Sequence, residues 1–138
     1  MSKESTGTLL VARASAKQAE ARYTVKIRAG HHELIGDEPV SAGGSDAGPS
    51  PFGFVLAGLA ACTAITLRMY AERKEWPLTG LAVELEYFRE AGAFRIERVL
   101  HVEGALDPEQ RARLADIAER TPVTLALKAG ATINTKLA

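Results

Sequence analysis

Cys62 is the only cysteine in the chain, and it ends a long apolar stretch. Thiol chemistry requires the thiolate, which proteins stabilise with a helix N-terminus, a nearby cation or a hydrogen-bond donor. The residues on the same face of the predicted helix are Gly58, Leu59, Ile65 and Thr66. This setting is apolar with a single hydroxyl. Two interpretations follow: a small buried hydrophobe, or a nucleophile activated by groups from elsewhere in the fold.

The helix that carries Cys62 is predicted over residues 51–74. Ser50 supplies an N-cap oxygen, and Pro51 suits the first helical turn. Cys62 then lies about three turns inside the helix. The helix dipole acts mainly within the first turn, so any activation of the thiol must come from another segment.

From Phe52 to Leu67 this helix is apolar or small on every side, and after Arg68 it becomes charged. A helix that is apolar all round must be enclosed. We expect its own sheet and a second subunit to enclose it. The apolar part is shorter than the ~20 residues that a bilayer requires, so we expect no membrane partner.

Alternating and capping patterns predict the remaining elements. The predicted strands are residues 7–12, 21–29 and 31–35, a hairpin of 81–89 and 94–102, and a final strand at 132–137. Capping residues followed by proline, at Asp107 and Thr121, predict two further helices that end near Arg120 and Gly130. The pattern predicts one α+β domain over residues 1–138.

Charge and cysteine content exclude several classes of partner. Seventeen basic and seventeen acidic residues cancel, so no net positive field attracts nucleic acid. A single cysteine cannot form a disulfide within the chain, which suits a reducing cytosol. The N-terminal segment lacks the apolar core and cleavage signal of a secretory leader. We therefore expect a cytoplasmic protein with no nucleic-acid partner.

Metal and nucleotide cofactors are not expected. The histidines, His31, His32 and His101, are too few and too scattered for a metal site. The glycine-rich stretch GGSDAG follows no buried parallel strand and lacks the lysine of a phosphate-binding loop. The candidate chemistry therefore rests on Cys62 alone.

Two segments carry a resemblance to a known family. They are GGSDAGPSPFGFVLAGLAACTAITLRMYAERKEWPL and FRIERVLHVEGALDPEQRARLADIAERTPVTLAL. Their order resembles the OsmC/Ohr family of osmotically inducible and organic-hydroperoxide-resistance proteins, from about His32 to the C-terminus. The resemblance implies an intertwined homodimer with antiparallel sheets around long central helices. It also implies that Cys62 attacks a hydroperoxide and that a second cysteine, before Pro-Val, forms a disulfide with it.

The chain departs from the family pattern at this second cysteine. Thr121 occupies its place, where the hydroxyl can cap a helix but cannot resolve a sulfenic acid. Many members also carry a glutamate after the proline of the central helix, where this chain has Phe52 and Gly53. Family members hold the thiolate with an arginine, and the loop of residues 36–51 contains none.

The nearest polar candidates for the site are Arg28 and His32. His32 could donate to a thiolate or peroxide oxygen, or it could be a surface residue. The simpler interpretation of Arg28 is the exposed member of an alternating strand. Asp37 and Glu38 are expected to be solvated turn residues, with the alternative that they hold Arg28 or His32 in place.

The resulting hypothesis is a thiol-dependent peroxidase for organic hydroperoxides. Cys62 would be oxidised to a sulfenic acid and reduced by an external thiol. Phe52, Phe54 and Leu59 would form an apolar substrate pocket. The alternative is a non-catalytic OsmC-like dimer that binds a small hydrophobic ligand or senses stress.

Overall fold

The computed structural model describes residues 7–138. The chain forms two compact units, Met1–Phe54 and Val55–Ala138. The predicted single domain over residues 1–138 stays a prediction. The α+β class is confirmed, with antiparallel sheets and one long helix.

The first unit contains a three-stranded antiparallel sheet in the order β1–β2–β3. Its strands are β1 (Ala14–Gln18), β2 (Val25–Ala29) and β3 (His32–Gly36). The registers pair Ala14 with Ala29 and Ala29 with His32. A tight turn at Gly30, which has a positive φ of 61°, joins β2 to β3.

The prediction of a first strand at residues 7–12 was wrong. The strand that pairs with the other edge of β2 from β3 is β1, whose sequence ASAKQ carries no large apolar side chain. A backbone turn, closed between Ala19 and Thr24, sets this register. The apolar side chains of Leu9, Leu10 and Val11 therefore remain exposed.

The loop after β3 is held by the buried carboxylate of Asp37. One oxygen, Oδ2, accepts from the Thr24 hydroxyl at 3.0 Å and from the backbone N–H groups of Ser45 and Ala47 at 3.2 and 3.1 Å. Oδ1 accepts from the backbone N–H of Glu38 at 2.7 Å. Asp37 is only 3% exposed, so the expectation of a solvated turn residue was wrong. The polar loop backbone needs an internal acceptor, and this carboxylate supplies it.

The second unit combines a hairpin with helices. Its elements are β4 (Leu78–Glu90), β5 (Ala93–Gly104), α2 (Pro108–Ala118) and α3 (Pro122–Ala129), together with most of α1 (Pro51–Arg73). Ala91 and Gly92 both have positive φ and form the hairpin turn. Asp107 and Gln110 form a reciprocal capping box at α2. The predicted hairpin and helices are confirmed to within a few residues at their ends.

The core of the second unit lies between α1, the hairpin and α2. Its buried members are Leu67, Ala71, Leu78, Leu106, Leu114 and Ala118. Leu67 and Leu114 are completely buried. Removing this apolar surface from water is the main stabilising contribution to the unit.

Only one stripe of α1 is buried within a single chain. The stripe consists of Leu59, Thr63, Leu67 and Ala71, at four-residue spacing. Ile65 and Met69 remain 58% and 52% exposed. Enclosure of this second face by a partner subunit stays a prediction. By length and composition α1 would also suffice to cross a membrane, a criterion that core helices of soluble proteins meet as well.

The predicted final strand at 132–137 was wrong. Residues 131–138 form no regular structure, and Ile133 and Leu137 are 85% and 100% exposed. Within the described residues, no strand pairs with this segment. Alternating side chains do not make a strand without a partner for the backbone N–H and C=O groups.

Candidate functional site

Cys62 lies in the middle of α1 and is half-buried. Its Sγ accepts a hydrogen bond from the backbone N–H of Val123, with an N–S distance of 3.4 Å. The hydroxyl of Thr66, one turn further along α1, lies 3.9 Å from the same sulfur. The thiol therefore faces a backbone donor from a segment 61 residues away in sequence.

The Val123 N–H belongs to the first turn of α3, where backbone donors have no partner within the helix. Pro122 has no N–H, and the N–H of Thr124 donates to the side chain of Thr121, the N-cap residue. The N–H of Leu125 makes the first α-helical bond, to the carbonyl of Thr121. Val123 thus donates the remaining N–H, and the Cys62 sulfur accepts it.

Thr121 is completely buried, and its hydroxyl caps α3 as the sequence predicted. Its Oγ1 also lies 2.6 Å from Oγ1 of Thr124. That Thr121 replaces a resolving cysteine stays a prediction from the resemblance.

Arg98 of β5 joins three helices at this site. Its Nη1 donates to Oγ1 of Thr63 and to Oγ1 of Thr124, each at 3.0 Å, and its Nη2 donates to the carbonyl of Ala118 at 2.9 Å. The Arg98 side chain is 12% exposed and also lies 3.5 Å from the Glu119 carboxylate. A guanidinium that is largely removed from water requires such partners, because an unpaired charge away from water is costly.

Arg98 was not singled out from the sequence, although a signal for it existed. In the alternating strand β5 it shares a face with Phe94, Ile96 and Leu100, which are apolar. An arginine on the inward face of a strand is rarely left unpaired. Its partners come from three distant segments, and only the folded chain identifies them.

Two further charged residues, Glu119 and Lys128, lie beside the hydrogen bonds of Arg98. Lys128 of α3 donates to Glu119 Oε1 at 2.9 Å. The hydrogen bond from Lys128 lowers the pKa of Glu119; burial raises it, and the charges of Lys128 and Arg98 lower it further. The net shift is downward, so Glu119 is ionised at neutral pH and forms ion pairs with both cations.

A cavity of about 590 Å³ opens beside this network in the second unit. Its walls include Leu59 of α1, Phe94 and Ile96 of β5, and Thr124 and Leu127 of α3. Cys62 is not among the described residues that line it. The cavity has the size of small-molecule pockets in proteins.

The other predicted site residues belong to the first unit. Arg28 forms an ion pair with Glu33 at 3.2 Å, and its side chain is 57% exposed. The His32 ring contacts the His31 ring at a tilt of 35°, with ring centroids 4.1 Å apart. The contacts of Arg28 are those of an exposed strand residue. Roles for Arg28 and His32 at the thiol stay predictions.

The three predicted pocket residues divide between the units. Phe54 lies against Gly36, where an added Cβ would meet its ring at 3.3 Å, and Phe52 is 53% exposed. Leu59 is 4% exposed and lines the cavity of the second unit. A shared pocket of Phe52, Phe54 and Leu59 stays a prediction.

Comparisons with known proteins agree with the fold. A family model described as OsmC-like protein matches residues 43–136. A solved OsmC-like protein from Mycoplasma pneumoniae is 18% identical, with a TM-score of 0.74 over 85% of this chain and 86% of that chain. The organic hydroperoxide resistance protein OhrB of Bacillus subtilis is 24% identical, with a TM-score of 0.59 over 88% and 93%.

A third solved structure, an organic hydroperoxide resistance protein from Legionella pneumophila, is 22% identical, with a TM-score of 0.65 over 88% of this chain and 92% of that chain. No curated protein matches the sequence. Identities this low establish the fold alone, whereas the family model covers well over half of the chain. The chain therefore belongs to the OsmC-like family.

Proposed function

We propose that the chain is a thiol-dependent peroxidase that reduces organic hydroperoxides with Cys62 as the nucleophile. The observation that supports this most directly is the hydrogen bond from the Val123 N–H to the Cys62 sulfur. A donor from the first turn of a helix stabilises negative charge on the atom it faces. The names of the Bacillus subtilis and Legionella pneumophila neighbours agree with this class of substrate.

The first chemical step is attack of the Cys62 thiolate on the distal oxygen of the hydroperoxide. An S–O bond forms while the O–O bond breaks, and the alkoxide takes a proton and leaves as the alcohol. The sulfur is oxidised to a sulfenic acid, and the peroxide is reduced. The Val123 N–H stabilises the thiolate from which the attack begins.

Reduction of the sulfenic acid must use a thiol from outside the chain, because Cys62 is the only cysteine. A first external thiol attacks the sulfenic sulfur and releases water, which leaves a mixed disulfide on Cys62. A second thiol attacks the mixed disulfide, releases the oxidised reductant and regenerates the Cys62 thiolate. This cycle needs a reducing compartment, which agrees with a cytoplasmic location.

We also propose that the protein works as a homodimer. Ile65 and Met69 form an exposed apolar face of α1. This face is contiguous on a helix whose other side is already packed, and water contact along it is unfavourable. The same face of α1 in a second copy of the chain has the same length and apolar character, so the two faces can cover each other.

The peroxidase proposal is tested by measuring chemical modification of the single thiol. The protein is treated with cumene hydroperoxide and a sulfenic-acid trap, and intact mass follows the adduct. We expect adduct formation and reductant-dependent turnover in the wild type, and neither in Cys62→Ser. If the thiol stays unmodified under conditions that oxidise free cysteine, the proposal is wrong.

A non-catalytic ligand-binding protein is the second candidate, and the cavity supports it. The cavity is lined by Leu59, Phe94 and Leu127 while Cys62 lies outside the lining, so a hydrophobic ligand could bind without touching the thiol. Under this alternative, binding of an apolar fluorescent probe and protection against peroxide both survive in Cys62→Ser. Under the peroxidase proposal the protection is lost.

A further inference from the structure

We propose that Arg98 is a positioning residue for the Cys62 thiol, an inference that rests on the proposed peroxidase function. The proposal rests on the placement of five residues. Val123 donates to Cys62, and the residues that follow each of these in sequence, Thr124 and Thr63, accept hydrogen bonds from the same Arg98 nitrogen.

Arg98 links α1, which carries the thiol, to α3, which carries the donor. Nη1 lies 3.0 Å from Oγ1 of Thr63 on α1 and 3.0 Å from Oγ1 of Thr124 on α3. Both hydroxyls are held in turn: Thr63 donates to the carbonyl of Leu59 at 2.7 Å, and Thr124 bonds to Thr121. Neither helix can shift along the other without breaking a bond to this guanidinium.

Arg98 also anchors the chain segment between α2 and α3. Its Nη2 donates to the carbonyl of Ala118, the last residue of α2, at 2.9 Å. The Thr124 hydroxyl lies 3.3 Å from the same carbonyl. The end of α2 and the start of α3 are therefore fixed to one side chain of β5, and with them the direction of the Val123 N–H.

This role requires a planar group with several donors in fixed directions. Arginine carries five N–H donors in a rigid fork, whereas lysine offers one ammonium at the end of a flexible stem. Lysine at this position keeps the positive charge but cannot reach both hydroxyls and the carbonyl at once. The charged groups along the adjoining cavity in the second unit are Glu97, Arg98, Glu119 and Lys128, and Arg98→Lys leaves their net charge unchanged.

The matched control is Arg95 on the same strand. It is 44% exposed and forms ion pairs with Glu90 and Glu97 instead of contacts with the helices. Arg95→Lys makes the same chemical change at a residue that does not link the helices. Thr124→Val is a second test variant, because it removes one hydrogen-bond acceptor of Arg98 while keeping the shape of the side chain.

The experiment measures the rate of iodoacetamide alkylation of Cys62 against pH, and separately the rate of cumene hydroperoxide reduction, in four proteins: wild type, Arg98→Lys, Thr124→Val and Arg95→Lys. We expect Arg98→Lys and Thr124→Val to move the alkylation profile to higher pH. We expect each to slow peroxide reduction by about 10- to 100-fold, the scale of a small misplacement of catalytic groups. Arg95→Lys should match the wild type.

The outcomes separate this inference from the peroxidase proposal. If the wild type reduces peroxide and both Arg98→Lys and Thr124→Val keep its alkylation profile and rate, the positioning role is wrong. If the wild type does not reduce peroxide but the alkylation profile still moves in both variants, the peroxidase proposal fails and the positioning role stands. Thermal unfolding of all four proteins shows which variants remain folded at the assay temperature, and the comparison uses those.

Discussion

The backbone N–H of Val123 donates to the sulfur of Cys62 at 3.4 Å, which joins the first turn of α3 to the middle of α1. Within its own helix Cys62 lies too far from the N-terminus to gain from that dipole. The N-terminus of a different helix supplies the donor instead. The position of α3 is therefore as important to the thiol as the position of α1.

The first prediction concerns the cap of α3. Thr121→Val removes the hydroxyl that accepts from the Thr124 N–H, and loss of an N-cap costs about 1 kcal/mol of stability. Thr121→Ser keeps the oxygen and should retain most of that stability. Urea unfolding of the two variants measures the difference. Equal stabilities would show that the Thr121 hydroxyl does not act as a cap.

The second prediction concerns acid stability and Asp37. Burial raises the pKa of Asp37, but hydrogen bonds from the N–H groups of Ala47 and Glu38, the Thr24 hydroxyl and the Ser45 N–H outweigh it, so the net pKa is lowered. Because the pKa of Asp37 is lower in the folded protein than in the unfolded chain, the ionised carboxylate stabilises the fold at pH values above the unfolded pKa, which is about 4. This stabilisation is lost as the pH falls through the folded-state value.

Asp37→Asn should therefore be less stable than the wild type at neutral pH, with a flatter dependence on pH in the acid range. The amide cannot carry the charge that accepts four donors. Unfolding by urea at a series of pH values from neutral to below 4 checks both parts. A variant whose stability falls as steeply with acid as that of the wild type would contradict this assignment.

The third prediction concerns the exposed face of α1. We expect the wild type to be a dimer, and Ile65→Glu to be a folded monomer, because a carboxylate at an apolar interface loses its hydration without gaining a partner. Val99→Glu is the matched control, since Val99 is a 51% exposed valine on β5. Light scattering after size-exclusion chromatography measures the mass. A wild-type monomer, or a dimer that tolerates Ile65→Glu, would refute the proposed interface.

Much of the fold follows from local sequence signals. The caps at Asp107 and Thr121 fix the starts of α2 and α3, and the turn at Ala91 and Gly92 fixes the hairpin. These signals are strong because each acts within a few residues. The strand β1 has no such signal, because its pairing depends on backbone register rather than on apolar side chains.

The candidate site was predicted only in part, because its key contacts are long-range. Cys62 and the capping role of Thr121 follow from the sequence. The donor from Val123, 61 residues away, and the bridging by Arg98 depend on how β5, α1 and α3 pack. Asp37 was misjudged for the same reason, since its four donors come together only when the loop folds over it.

The fourth prediction, and the most direct test of the account, is the rate at which cumene hydroperoxide oxidises the Cys62 thiol. The single cysteine makes loss of free thiol a specific signal in both the folded protein and the urea-unfolded chain. We expect the folded protein to react at least about tenfold faster than the unfolded chain, the rate equivalent of one hydrogen bond to a charged group. Equal or slower oxidation of the folded protein would show that the fold does not activate Cys62.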